Sequence, residues 1–125
     1  MTRSLTIALV SLFITSLAWT TTAMPIATQI MIEDGSPYFA PSKAIATSGS
    51  PIRWENPTPT DHTVTHNGCI EDGTPCLFDS GVIPPGEHFS VPGLPPGRYP
   101  YHCRIHPIMR GVLTVTDAAT MPSQL

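Results

Sequence analysis

The sequence predicts an all-β protein, a two-sheet Greek-key β-sandwich of about eight strands. Fifteen prolines and nine glycines punctuate short apolar runs at close intervals, a spacing typical of strands and turns. After the first two dozen residues, no window keeps the apolar period of a helix. A length of 125 residues is that of one domain.

The first 23 residues have the features of a signal peptide. Arg3 gives a positive start, Leu5–Ala18 is largely apolar, and Thr21–Ala23 offers the small residues that a signal peptidase accepts. The apolar run of about 14 residues is shorter than the ~20 needed to span a bilayer, so we expect no stable membrane span after cleavage. We therefore predict an exported protein, periplasmic or extracellular, whose folded domain is 24–125.

Short apolar or alternating segments between turn residues give the strands of that domain. Ile52 and Trp54 alternate with charged residues, so both side chains should face the core. Ser36–Pro41 is predicted to be irregular, with Tyr38 and Phe39 anchored on the core. A polar tail should follow from about residue 117. The predicted strands are Ile26–Ile32, Lys43–Thr47, Ile52–Asn56, Glu87–Val91, Arg98–Cys103 and Gly111–Thr116, with short apolar runs at Leu77–Phe78 and Gly81–Ile83.

Charge and cysteine count narrow the function. Removal of Arg3 leaves five of the six basic residues against nine acidic ones, and no basic run is present, which argues against nucleic acid as a partner. Three cysteines in an exported chain suggest one pair and one thiol with separate chemistry. Cys69 and Cys76 bracket a polar, turn-rich loop that could close as a disulfide, and Cys103 is then left alone.

A cluster of soft and borderline metal ligands lies near the end of the domain. Cys103, His106 and Met109 offer a thiolate, an imidazole and a thioether within one short loop, a mixture that suits copper cycling between two oxidation states. The best fourth ligand is His62, at the end of a Pro-containing loop. Two imidazoles and a thiolate make a trigonal set, to which Met109 can add a long axial contact. Zinc competes for Cys and His, but structural zinc sites favour four strong ligands.

Alternation along the predicted strand at 98–103 places the thiol. Residues two apart share a face, so Tyr99, Tyr101 and Cys103 point one way and His102 the other. If the tyrosines face the core, Cys103 is a core-facing ligand at the point where the strand leaves the sheet. Pro107 fixes φ after the ligand histidine and stiffens the loop.

These motifs together resemble the cupredoxins, the blue copper proteins. Cys-x-x-His-x-x-Met, preceded by Tyr-x-Cys and followed by Gly, stands with Asp-His-Thr-Val upstream, and the likeness runs from Pro37 to Thr116. The short ligand loop most resembles that of the amicyanins, with the plastocyanins as longer-looped relatives. The resemblance implies an eight-strand β-sandwich with one type 1 copper at one end, bound by His62, Cys103, His106 and Met109.

The same resemblance implies an electron carrier and not an enzyme. His106 would be the partly exposed ligand through which electrons pass to and from redox partner proteins docking nearby, and we expect a monomer. Two positions depart from the usual pattern. Thr63 stands where the family often has an Asn that ties the two ligand loops together, and Ile105 stands where it often has Pro, which bears on the redox potential.

Two other functions fit some of the residues. His102 occupies the position where copper nitrite reductases, a related family, carry a ligand of a second, catalytic copper, and His66 could be imagined as its partner. Strand parity places them on opposite faces, and such enzymes need two domains of this kind per chain. A copper carrier or chaperone would use similar ligands without redox turnover, but the Met-rich or His-rich tract that would favour it is missing.

Overall fold

Eight strands and a single 3-10 turn make up the regular structure of the described residues. The computed structural model describes residues 13–21, 26–34 and 38–117. The 3-10 turn spans Asn67–Cys69. The strands are β1 (Thr28–Glu33), β2 (Tyr38–Ala40), β3 (Lys43–Thr47), β4 (Ile52–Glu55), β5 (Thr65–His66), β6 (His88–Val91), β7 (Gly97–His102) and β8 (Arg110–Thr116).

The strands form two mixed four-stranded sheets. The first has the order β2-β1-β4-β6 and the second β3-β8-β7-β5. In each sheet one pair is parallel, β1 with β4 and β3 with β8, and the other pairs are antiparallel. The chain changes sheet at most connections, which brings the two inner faces together. The predicted all-β sandwich is confirmed.

The core lies between the two inner faces and is centred on Trp54. Its ring centroid is 5.5 Å from that of Tyr101, 5.6 Å from Phe78 and 5.8 Å from Phe89. Ile52 and Trp54 are both buried, as their alternation predicted. Other buried apolar side chains around them are Ile30, Ile32, Phe39, Ala44, Ala46, Val64, Ile83, Val91, Tyr99, Leu113 and Val115.

One prediction about the edge of the first sheet is wrong. Tyr38 and Phe39 belong to strand β2 and not to an irregular segment. Because successive side chains of a strand point to opposite faces, only one of the two can reach the core. Phe39 is fully buried, whereas Tyr38 is 43% exposed and donates a hydrogen bond from its hydroxyl to Glu33 Oε2 at 2.8 Å.

The segment before β6 does not form a ladder, although it carries two apolar runs. It contacts the segment that contains His62 and Thr65 through two isolated β-bridges, His62 with Ile83 and Thr65 with Asp79. Phe78 and Ile83 are buried in the core, whereas Val82 is exposed. The apolar runs therefore mark contacts with the core and not strands.

Cys69 and Cys76 form a disulfide, as their spacing suggested, and Cys103 is a buried free thiol. The proposed cleavage point after Ala23 and the polar tail from 118 lie outside the described residues, so the signal peptide stays a prediction. Residues 13–21 are exposed and without regular structure. Within the described part of the chain, no helix is long and apolar enough to cross a membrane.

Tyr101 is a polar group at the centre of the sandwich. Its ring packs edge-on against Trp54 and lies 4.7 Å from that of Phe39, and a side chain at Gly111 would overlap it. Within the described residues, neither its hydroxyl nor the Trp54 indole nitrogen has a partner in hydrogen-bonding geometry. Burial raises the pKa of Tyr101 to about 12, and the nearby Trp54 indole N–H offsets this only in part.

The raised pKa of Tyr101 predicts that the folded protein loses stability at alkaline pH. The unfolded chain loses the tyrosine proton near its ordinary pKa of 10.0, whereas the folded chain keeps it to about 12. The stabilisation that comes from this difference in pKa is therefore fully present below pH 10. As pH rises from 10 to 12, the free energy of unfolding should fall by up to about 3 kcal/mol.

Denaturant unfolding at several pH values measures this effect. Tyr101→Phe should change the free energy of unfolding little at pH 7, because the buried hydroxyl that it removes has no hydrogen-bond partner. The same variant should lose less stability than wild type above pH 10. An equally steep decline in the variant would contradict the assignment.

Candidate metal centre

Cys103 lies immediately after the last residue of β7, on the inward side set by Tyr99 and Tyr101. It is fully buried, whereas His102 packs on the opposite face. Its backbone N–H donates to the carbonyl of Met109 at 3.0 Å, and the N–H of Met109 donates to the carbonyl of His106 at 2.8 Å. These bonds hold the ligand loop, residues 103–109, as a compact turn between β7 and β8.

His62 approaches the thiol from the other side. It is fully buried and held by a two-way backbone bridge with Ile83, whose N–H···O distances are 3.2 and 2.7 Å. Its Nδ1 lies 4.0 Å from Cys103 Sγ, and Nδ1 of His106 lies 3.7 Å from the same sulfur. The two imidazole centroids are 4.8 Å apart.

These three side chains form a metal-binding cluster. One donor atom from each of His62, Cys103 and His106 lies within 4.8 Å of the other two, and no other such group of His, Cys, Asp and Glu occurs in the described ranges. Two imidazole nitrogens and one thiolate, with no carboxylate, fit copper or zinc. With a thioether as a fourth ligand, the set fits copper better. The predicted convergence of these three residues is observed.

Met109 is placed beside the cluster by its main chain. The residue is fully buried, and its backbone is hydrogen-bonded to both Cys103 and His106. This burial in the ligand loop agrees with a role for its thioether, although the fourth-ligand assignment stays a prediction.

Thr63 joins the two ligand-bearing segments. Its backbone N–H points at Cys103 Sγ, 3.3 Å away, and its hydroxyl accepts a bond of 2.8 Å from the N–H of Arg104. The first contact supplies a hydrogen-bond donor to the sulfur, and the second fixes the ligand loop against the segment that carries His62. Threonine thus makes the link for which the family often uses asparagine.

The electrostatic environment favours a neutral His62. Burial lowers its pKa, and positive charge on His106 lowers it further, while Asp34 and Asp61 act in the opposite direction. A neutral imidazole has a lone pair available for a metal.

The remaining histidines do not extend the cluster. His102 pairs with Thr65 across the β5–β7 ladder, whereas His66 pairs with Tyr101, so the two imidazoles lie on opposite faces. Nδ1 of His102 lies 2.7 Å from Asn67 Oδ1. His66 packs against Phe78 and accepts a 3.4 Å bond at Nδ1 from the N–H of Leu77. The predicted placement of His66 and His102 on opposite faces is confirmed.

Three residues beside His62 had no assigned role in the sequence analysis. Asn56 and Thr58 are buried, and the hydroxyls of Thr58 and Thr60 lie 3.1 and 3.0 Å from Nε2 of His62. Two threonines at alternate positions just before a candidate ligand histidine were the available signal, since the non-ligating N–H of such a histidine usually donates to an oxygen acceptor and a hydroxyl can be one.

Comparison with known proteins supports the assignment of the fold. No protein-family profile and no curated protein matches the sequence. Among solved structures, the purple cupredoxin from Nitrosopumilus maritimus is 26% identical, with a TM-score of 0.61, and the match covers 71% of this chain and 99% of that one. A reduced amicyanin mutant is 23% identical with a TM-score of 0.61, over 72% of this chain and 82% of that one.

A larger enzyme contains a domain of the same kind. A Cu-containing nitrite reductase from Thermus scotoductus SA-01 is 22% identical with a TM-score of 0.65, and the match covers 81% of this chain but 25% of the enzyme. At this identity the likeness concerns the fold alone. The chain thus has the cupredoxin fold, with a His-Cys-His cluster that fits a type 1 copper site.

Proposed function

We propose that this chain is a small exported blue-copper protein that carries single electrons between redox partner proteins. The observation that carries the proposal is the convergence of His62, Cys103 and His106 at a buried end of a cupredoxin sandwich. Met109 completes the proposed ligand set. Copper held there would supply one-electron chemistry by alternating between Cu(I) and Cu(II).

The surrounding residues supply a rigid frame. The ligand loop is closed by its own backbone bonds, Thr63 fastens it to the opposite segment, and Ile83 fixes the backbone of His62. Ligands held in this way have little freedom to rearrange when the charge at the centre changes. A small rearrangement lowers the barrier to electron transfer, which suits a carrier.

An enzyme of the nitrite reductase kind is less well supported. A second catalytic copper would need His102 and further ligands to converge. In the described residues, no group of three His, Cys, Asp or Glu donors includes His102, and its Nδ1 is engaged with Asn67. One cluster of two histidines and a cysteine in the described residues suits transfer of electrons rather than turnover of a substrate.

Electrons would pass at the surface around His106. Among the three clustered ligands His106 alone is partly exposed, and next to it Ile108 is 82% and Ile105 46% exposed. Such apolar side chains around a ligand suit transient docking of a redox partner. Arg104 and Arg110 line a groove of about 310 Å³ that also contains Pro107 and Glu71. Arg104 is ion-paired with Asp79 at 2.6 Å, so Arg110 is the cation better placed to steer an acidic partner.

The central prediction concerns the colour of the copper-loaded protein. Titration with Cu(II) should produce an intense absorption band at about 600 nm, as the cupredoxin resemblance implies, and the band should saturate at one equivalent of copper. Cys103→Ser should abolish the band, because the thiolate is its source, whereas Met109→Leu should keep it with a raised reduction potential. A colourless Cu(II) protein with an ordinary tetragonal EPR signal would refute the type 1 assignment.

A second prediction tests the link between the ligand segments. Thr63→Val keeps the shape of the side chain but leaves the N–H of Arg104 without its acceptor, so the metal-free protein should lose about 1–2 kcal/mol of stability. Thr63→Ser retains the hydroxyl and serves as the control. Denaturant unfolding measures the loss, and hydrogen exchange at the Arg104 amide should accelerate in the valine variant only. Equal stability and exchange in the two variants would show that the hydroxyl is dispensable.

A third prediction tests steering by the two arginines. Replacing Arg104 and Arg110 by Glu should slow oxidation of the reduced protein by the hexacyanoferrate(III) anion several-fold, roughly, at low ionic strength, and salt should reduce the difference. Arg53 is ion-paired like Arg104 and Arg98 is exposed like Arg110, so replacing these two by Glu gives a control variant with the same change of net charge. Stopped-flow rates that fall equally in both variants would show that only net charge matters.

A further inference from the structure

A buried network of polar side chains lies behind His62, on the side away from the cluster. The imidazole directs Nδ1 toward Cys103 Sγ, whereas Nε2 faces the hydroxyls of Thr58 and Thr60. Which nitrogen carries the proton decides whether a lone pair points at the metal site, because a neutral imidazole has one N–H and one acceptor nitrogen.

The side-chain amide of Asn56 determines which groups donate and which accept in this network. Its amide nitrogen lies 2.9 Å from the carbonyl oxygen of Thr60 and 2.8 Å from that of Ile83. Carbonyl oxygens only accept, so the NH2 group of the amide must stand there. Oδ1 consequently faces the other way, where it accepts a bond of 3.1 Å from the backbone N–H of Thr58.

Thr58 in turn determines which group donates in its contact with His62. Its hydroxyl has a single proton, and the shortest contact of the oxygen, 2.7 Å, is with Asn56 Oδ1, which only accepts. The next acceptor is the carbonyl of Thr60 at 3.1 Å. With its proton donated to either of these, the hydroxyl oxygen has only lone pairs to offer His62. The 3.1 Å contact is then a bond donated by Nε2–H.

The frame that holds the network is itself fixed. The N–H of Asn56 donates to the carbonyl of Glu87 at 2.9 Å, and its own carbonyl accepts a bond of 2.7 Å from Gly86. Pro57 and Pro59 restrict φ on either side of Thr58. Asn56 is 1% and Thr58 4% exposed, so water does not compete for these bonds.

We propose that Asn56 and Thr58 act as positioning residues that fix His62 as the Nε2–H tautomer, with the Nδ1 lone pair directed at the metal cluster. Thr60, which is exposed, is a second acceptor for the same proton and contributes less. The consequence for copper binding rests on the proposed function. The tautomer itself is a property of the metal-free chain.

The tautomer can be read directly in the metal-free protein. Long-range proton–nitrogen correlation spectra of ¹⁵N-histidine-labelled protein, recorded at pH 8, distinguish a protonated from an unprotonated ring nitrogen. For wild type we expect His62 as the Nε2–H form. Thr58→Val removes the acceptor while keeping the shape, and should give a mixture of tautomers. Thr58→Ser should restore the wild-type pattern, and Thr60→Val should change it less than Thr58→Val.

Copper affinity gives a second readout. Thr58→Val should weaken Cu(II) binding about 10-fold and shift the absorption or EPR parameters, in the range usual for lost partners of metal-ligating histidines. Thr58→Ser should restore both. Thr114→Val makes the same chemical change on the outer face of β8 and should have no effect. Competition with a chelator measures the affinities.

The outcomes separate this inference from the proposed function. An Nδ1–H tautomer of His62 in the wild-type metal-free protein would overturn the inference, even if Thr58→Val did not fold. Wild-type tautomer and affinity in Thr58→Val would overturn it as well. A colourless copper protein that keeps the Nε2–H tautomer would instead refute the proposed function and leave the network intact.

Discussion

The alternation of side chains along β7 is the constraint on which the metal centre depends. Tyr99 and Tyr101 are inward residues of this strand, and Cys103 follows on the same side at the point where the strand ends. The thiol is therefore buried next to the core, and it still lies at a loop that can supply a second ligand. A shift of register by one residue would bring His102 inward and turn the thiol outward.

The second constraint is the attachment of the segment that carries His62 to that strand end. Thr63 makes two of the contacts, one to the sulfur of Cys103 and one to the N–H of Arg104. On the far side, the hydroxyl of Thr58, which contacts Asn56 Oδ1, lies 3.1 Å from Nε2 of His62. Nε2 of His62 thus has a hydrogen-bond partner that orients the ring, while Nδ1 faces the sulfur of Cys103. Such an arrangement is preorganised for metal binding.

Periodicity and residue chemistry were sufficient for the strands of the core and for the three clustered ligands. Ile52 and Trp54 alternate with charged neighbours. Cys103 and His106 form a Cys-x-x-His motif, and both side chains are common metal ligands. Local sequence was not sufficient for Tyr38, because a three-residue strand is too short to show a period. The role of Asn56 was also hidden, since its orientation depends on the carbonyl of Ile83, 27 residues away.

X-ray absorption spectroscopy of the copper-loaded protein tests the central claim most directly, because it counts the atoms bound to the metal. The account predicts one sulfur and two imidazole nitrogens as near neighbours, and loss of the sulfur in Cys103→Ser. A first shell of nitrogen and oxygen alone in the wild-type protein would contradict the assignment of His62, Cys103 and His106 as the copper site.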